Sequence, residues 1–155
     1  MKKKNLGLLR VFALIGFVIY LIAMVYFLFF CEELGRVPRQ SYQYNIEPFA
    51  EIKRCLYAIK NHIKQVEMFI NLVGNVVCFI PLGFVLPVFN SKHWNFIRVT
   101  LISMLSSLVI ELIQLVTKLG SLDVDDIILN TCGGMIGCIL FYISRGIYRR
   151  AKRKK

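Results

Sequence analysis

Four runs of this chain are almost bare of charge over the length that a lipid hydrocarbon core demands. Val11–Cys31 is uncharged for 21 residues and Met68–Ser91 for 24, while Ile127–Ser144 is uncharged for 18. Val99–Thr117 carries a single charge, Glu111, in 19 residues. A helix needs about 20 apolar residues to cross a core roughly 30 Å thick. Inside lipid each backbone N–H and C=O must be satisfied within its own segment, so such runs become helices. The expectation is an all-α, polytopic membrane helix bundle forming one domain over residues 1–155. Its four transmembrane helices are expected at about 8–30, 69–89, 97–118 and 124–144. A hydrophobic content of 57% and a mean hydropathy of +0.60 fit no soluble domain of this size. No internal repeat is present, and the only biased segments are the basic ends.

The net charge of +11 is placed as a membrane protein places it, which excludes a nucleic-acid partner. Lys2, Lys3, Lys4 and Arg10 precede the first run, and Arg145, Arg149, Arg150, Lys152, Arg153, Lys154 and Lys155 follow the last. Basic flanks orient a membrane protein and attract anionic lipid headgroups. With four spans both termini share a side, together with the 91–98 turn, and that side holds thirteen of the twenty basic residues. The termini are therefore expected in the cytoplasm of a multi-pass cell-membrane protein, with the 32–67 loop and the Lys118–Leu122 turn outside. The first run exceeds the roughly 7–15 residues of a signal-peptide core and ends without a small-residue cleavage site, so it reads as an uncleaved anchor.

Within the one long loop, Phe49-x-x-Ile52-x-x-x-Leu56-x-x-Ile59 has helical spacing with charges between. Two readings stand side by side: an amphipathic helix lying on the membrane surface, or a solvated helix capping the bundle. In the second run Asn71-x-x-Gly74-Asn75 puts two amides on one face, and Pro81 and Pro87 flank Gly83. Proline removes an intrahelical hydrogen bond, which predicts a kink or break near Pro81. The third run carries Glu111-x-x-Gln114 near its far end. A carboxylate inside a span is costly and normally faces the bundle interior or a water-filled cavity.

The most informative stretch is Ser121–Gly137, where Asp123, Asp125 and Asp126 stand in front of an apolar run carrying Asn130, Gly133, Gly134 and Gly137. Read as a helix starting near Asp123, it places Asp126 and Asn130 one turn apart. Gly133-x-x-x-Gly137 admits close approach of another helix. Aspartates at a helix start also satisfy free N–H groups, which accounts for one or two of the three. The expected topology brings Asn71 and Asn75, Glu111 and Gln114, and Asp123, Asp126 and Asn130 to one depth in the outer leaflet. Three polar groups from three helices at a matching level predict a site.

Read together in order, Asn45-x-x-Pro48-Phe49, Asn71-x-x-Gly74-Asn75-x-x-x-Phe79-x-Pro81-x-Gly83, Glu111-x-x-Gln114 and Asp123-x-Asp125-Asp126-x-x-x-Asn130-x-x-Gly133 resemble the motifs of the VanZ-like family across nearly the whole chain. The resemblance implies a small bacterial integral membrane protein. The family's namesake accompanies glycopeptide-resistance genes and lowers susceptibility to teicoplanin. Many members carry an arginine three positions before the first Asp of the last motif. Here that position is Gly120, leaving Lys118 as the nearby cation.

The residues leave several chemistries open. Glu111, Asp123 and Asp126 are candidate catalytic groups, with Asn71, Asn75, Gln114 and Asn130 as binding groups and Pro81, Gly83, Gly133 and Gly137 as structural ones. Asp123 and Asp126 are candidate oxygen ligands for a divalent cation. A lipid-linked or glycopeptide ligand fits carboxylates mixed with amides. The alternatives are a transferase or hydrolase acting on a lipid-linked or cell-wall substrate, a proton-coupled transporter, or polar contacts that only hold helices together. The sequence has no serine elbow, no metal-binding His pair and no phosphate loop, and His62 and His93 fall in loops. Cys31 and Cys55 are candidates for an outer disulfide, and Cys78, Cys132 and Cys138 lie in spans as small apolar residues. Neither the substrate nor the oligomeric state is written in the sequence.

Overall fold

The computed structural model describes residues 3–30, 40–62, 65–90 and 93–153. Among these residues five helices follow one another: α1 (Lys3–Phe29), α2 (Ala50–Asn61), α3 (Gln65–Phe89), α4 (Phe96–Thr117) and α5 (Val124–Arg153). Two-residue strands β1 (Tyr44–Asn45) and β2 (Leu122–Asp123) pair in parallel, Tyr44 opposite Leu122 and Asn45 opposite Asp123. Among the described residues this bridge is the one departure from helical structure, and two residues are too few to leave a periodicity in the sequence.

Among the described residues three helical stretches are long and apolar enough to cross a membrane: Met68–Phe89, Phe96–Thr117 and Val124–Arg153. The described apolar part of α1, Leu14–Phe29, is shorter. Cys31 and the first part of the long loop lie outside the described residues. Local chemistry sets the helix ends. Asn95 caps α4 by accepting the Arg98 N–H at 2.9 Å. At its other end Lys118 adopts a left-handed conformation with φ 59° and closes the helix onto the Leu115 carbonyl.

Helix α5 packs along α3 at backbone contact. A Cβ added at Gly137 would stand 2.0 Å from the Ile80 carbonyl oxygen, and one at Gly133 would stand 2.1 Å from that of Val76. Gly83 faces Gly134 in the same way, 1.9 Å from its oxygen. On its other side α5 meets α4, where a Cβ at Gly134 would strike Ser103 Oγ. Helix α1 is attached through polar atoms on apolar surroundings. The Tyr20 hydroxyl donates to the Cys78 carbonyl at 2.5 Å, and Gln114 Nε2 donates to the Leu28 carbonyl at 2.7 Å.

One expectation, a kink or break near Pro81, is corrected as far as the break is concerned. Helix α3 runs unbroken through both Pro81 and Pro87, so there is no break near Pro81. Each proline removes only one N–H, and close packing along α5 holds the turns together. Helix α2 forms where the amphipathic spacing predicted, with Phe49, Leu56 and Ile59 exposed. Its buried residues are Ala50, Cys55 and Ala58. Cys55 has a free thiol on that inward face, while its candidate disulfide partner Cys31 lies outside the described residues.

Candidate functional site

On α4 the polar residues Ser103, Ser107, Glu111 and Gln114 recur at three- and four-residue spacing, so they share one face. All four are buried. On α5 the matching face carries Asp126, Asn130 and Gly134. The helices are antiparallel, and the two series meet in register: Ser107 accepts from Asn130 Nδ2 at 2.8 Å, and Ser103 abuts Gly134 one turn further in. From the α3 side Asn75 Nδ2 donates to Asp126 Oδ1.

At the open end of this face the connection into α5 is tied down by its own acids. The Asp123 carboxylate accepts the Asp125 N–H at 2.8 Å, making Asp123 the cap of α5. Its backbone N–H donates to Glu111 Oε2 at 2.8 Å, joining the end of α4 to the start of α5. Asn45 Nδ2 donates to both Asp123 oxygens, at 3.2 and 3.1 Å, and Asn45 Oδ1 accepts the Glu47 N–H at 3.3 Å.

Asp125 has a different office. Phe49, at the N-cap of α2, sits at φ 65° and brings no side-chain acceptor of its own. Asp125 supplies it from α5, taking the Phe49 N–H at 2.5 Å and the Glu51 N–H at 2.6 Å. A carboxylate facing free N–H groups at a helix start also suits the helix dipole. Beside it, burial pushes the Glu51 carboxyl above its ordinary value of 4.5, with Asp123 and Asp125 acting in the same direction and Arg54 opposing.

The structure therefore gathers Asn75, Glu111, Gln114, Asp123, Asp126 and Asn130 into one buried polar body at one end of the bundle. Asn71 is half-buried one turn before Asn75 and stands outside the network. Gly83, Gly133 and Gly137 form the α3–α5 contact rather than lining the polar face. Residues that sequence reasoning passed over are Asp125 as a cap for another helix, and Ser103 and Ser107 as the inner rungs. The Ser103-x-x-x-Ser107-x-x-x-Glu111 spacing was readable and would have extended the polar face inward.

The body is closed. Glu111 and Asp125 are 1% exposed, Asp126 4% and Asp123 5%. Three buried polar atoms have no hydrogen-bond partner among the described residues: Ser103 Oγ, Gln114 Oε1 and Asn130 Oδ1. No three His, Cys, Asp or Glu side chains among the described residues converge as a metal ion requires. Asp123 and Asp126 each face an amide instead, Asn45 and Asn75. Lys118, the cation nearest the Gly120 position, does not reach the carboxylates. Its Nζ donates to the Gln40 carbonyl at 3.4 Å and lies 4.9 Å from the centre of the Tyr42 ring. An apolar groove of about 270 Å³ lined by Val109, Leu112, Ile113, Val116 and Thr117 lies elsewhere on α4 and shares no residue with the polar body.

Comparison with known proteins agrees with the ordered motifs. A family model described as VanZ/LLP1 matches residues 17–145. Protein VanZ of Enterococcus faecium is 37% identical over 76 residues, covering 49% of this chain and 47% of that protein. The match thus spans about half the length of that relative. No solved structure matches the chain.

Proposed function

The chain belongs to the VanZ-like family, and from that membership we propose that it is a multi-pass protein of the cell membrane that lowers susceptibility to teicoplanin-type lipoglycopeptides. In this reading α1 is a fourth span, both termini are cytoplasmic, and the polar body lies in the outer leaflet. Thirteen of twenty basic residues on the terminal side support that orientation. The basic ends engage anionic headgroups, and the polar body binds or alters an envelope component, a lipid-linked precursor or the glycopeptide itself.

The observation that carries the reading is the burial of four carboxylates and three amides where α3, α4 and α5 meet beneath α2. Burying so many polar groups in an apolar protein is costly unless they are mutually satisfied, and polar residues in spans concentrate at functional sites. The reading is of binding rather than catalysis, and that each of the four acids already holds a hydrogen bond to an N–H group supports it. A structural reading competes: the same groups could serve only to join helices.

Susceptibility assays separate these. Cells expressing the wild type should tolerate more teicoplanin than vector controls, with a smaller effect on vancomycin, which lacks the acyl chain. Glu111→Gln and Asp126→Asn keep size and hydrogen bonding but remove charge. If the acids form a site, each should lose the protection at normal membrane abundance. Full protection by both isosteres would leave the structural reading, and no protection by abundant, folded wild type would remove the proposed function.

A further inference from the structure

Helix α2 has three faces, and the largest apolar one is turned away from the protein. Its inward face is made of small residues, Ala50, Cys55 and Ala58. Leu56 is 62% exposed and Ile59 43%, with Phe49 at the helix start 53% exposed. A solvated cap on a bundle does the opposite, burying its large apolar residues and showing small or polar ones to water. The inward packing is nonetheless specific, since Asp125 on α5 fixes the start of α2 through two main-chain N–H groups. The helix is thus held with its greasy side facing out.

Its position says what covers that side. The bond to Asp125 and the β1–β2 bridge pin residues 44–51 at the level where α5 begins. At the same end α3 starts with Val66, Phe69 and Ile70, all exposed, so the outward face of α2 continues into a surface of an apolar spanning helix. Just ahead of α2, Tyr42 and Tyr44 are exposed, and Lys118 stacks on the Tyr42 ring. Tyrosines with flanking cations are the side chains that settle at headgroup level. Lys53, whose Nζ lies 3.2 Å from Glu47 Oε1, and Lys60 lie beside the apolar face, a position that suits cations at headgroup level rather than among acyl chains.

We propose that residues 40–62 form an interfacial element whose outward face, Phe49, Ile52, Leu56 and Ile59, inserts into the headgroup–acyl boundary of the leaflet at that end of the bundle. The bilayer itself is the partner. The element then lies as a roof over the buried carboxylates, so lipid at this surface and the polar body share one wall. The inference holds for either orientation of the chain in the membrane and does not depend on any effect on glycopeptides.

The test uses the full chain in vesicles of phosphatidylcholine with phosphatidylglycerol. Trp94 is the chain's single tryptophan and gives its backbone carbonyl to Tyr142, so Trp94→Phe supplies a dark background that keeps this bond. Leu56→Trp and Ile59→Trp, made separately, report from the outward face, and Asn61→Trp from another side of the helix. Lipids brominated near the top of their acyl chains should cut emission from the first two at least about twofold, and from Asn61→Trp less, since interfacial helices bury one face only to that depth. Red-shifted emission from positions 56 and 59, quenched by iodide and untouched by bromine, would mean a solvated helix and overturn the proposal. Blue-shifted emission quenched by neither would mean that protein covers the face, a second copy included, and would overturn it too. Susceptibility to glycopeptides plays no part in the readout.

Discussion

Asp125→Asn should release α2 while leaving the rest of the bundle folded. The carboxylate accepts two main-chain N–H groups, at 2.5 and 2.6 Å, in a site only 1% exposed. An asparagine keeps one acceptor and points its NH₂ at a donor. One charge-assisted hydrogen bond is lost, worth about 1.5–3 kcal/mol, and a buried N–H is left unmet at a further cost of about 1–3 kcal/mol. Burying a neutral amide is easier than burying a carboxylate, which offsets part of this. A net loss of about 2–3 kcal/mol corresponds to a rise of roughly 30- to 150-fold in the open population of α2. Cys55 supplies the assay, because its thiol is on the inward face and 5% exposed. Its rate of maleimide labelling, read peptide by peptide in purified protein, tracks local opening. Cys138, fully buried on α5, is the internal control for global unfolding. A Cys55 rate within about twofold of wild type would refute the capping argument. A parallel rise at Cys138 would refute its confinement to α2.

Three further outcomes follow from the same geometry. Gly83→Ala and Gly137→Ala each place a Cβ about 2 Å from a backbone oxygen, where real Cβ atoms stay beyond 3.0 Å, so α3 and α5 must part by about 1 Å. Thermal unfolding should show a loss of at least about 1–3 kcal/mol for each, whereas Gly146→Ala, with nothing within 4 Å, should be neutral or stabilising. In a background without native cysteines, Ser41→Cys should react with an impermeant maleimide on intact cells and His93→Cys only after permeabilisation; the reverse pattern would move the polar body to the cytoplasmic leaflet. Because the Glu51 carboxyl is raised above 4.5 in the folded protein, its contribution is fullest below that pH and is lost as pH rises through the raised value. Glu51→Gln should therefore flatten the pH dependence of Cys55 protection as pH rises above 4.5, and an unchanged profile would contradict this.

The helical class was legible because the signal is long: an uncharged run such as Met68–Ser91 has few alternatives in lipid. The polar residues were legible as candidates because Glu111, Asp126 and Asn130 are misplaced by ordinary apolar patterning. Their partners were not. Asp125 bonds to backbone N–H groups, and such contacts carry no residue-type signature, so nothing at Phe49 or Glu51 advertises the cap. The inward face of α2 was not legible for a related reason. Periodicity finds the largest apolar stripe, Phe49, Ile52, Leu56 and Ile59, and does not say whether protein, lipid or neither covers it. In a membrane protein two apolar environments compete for it, and Ala50, Cys55 and Ala58 approach the bundle more closely. The unbroken course of α3 at Pro81 reflects tertiary support, which a local rule about proline does not contain.

The cap on α2 also fixes an order of events during synthesis. Asp125 lies 76 residues after Phe49 and 74 after Glu51, and β2 likewise trails β1 by about half the length of the chain. When α2 leaves the ribosome its start has no acceptor, and β1 has no partner. Both wait until α3 and α4 are inserted and the first turn of α5 has been made. The segment that ends as the best-anchored piece of surface is thus the last to be secured, and the residues that secure it open the final helix. A chain cut short before Leu122 would retain every residue of α1 to α4, yet could not close that end of its own bundle.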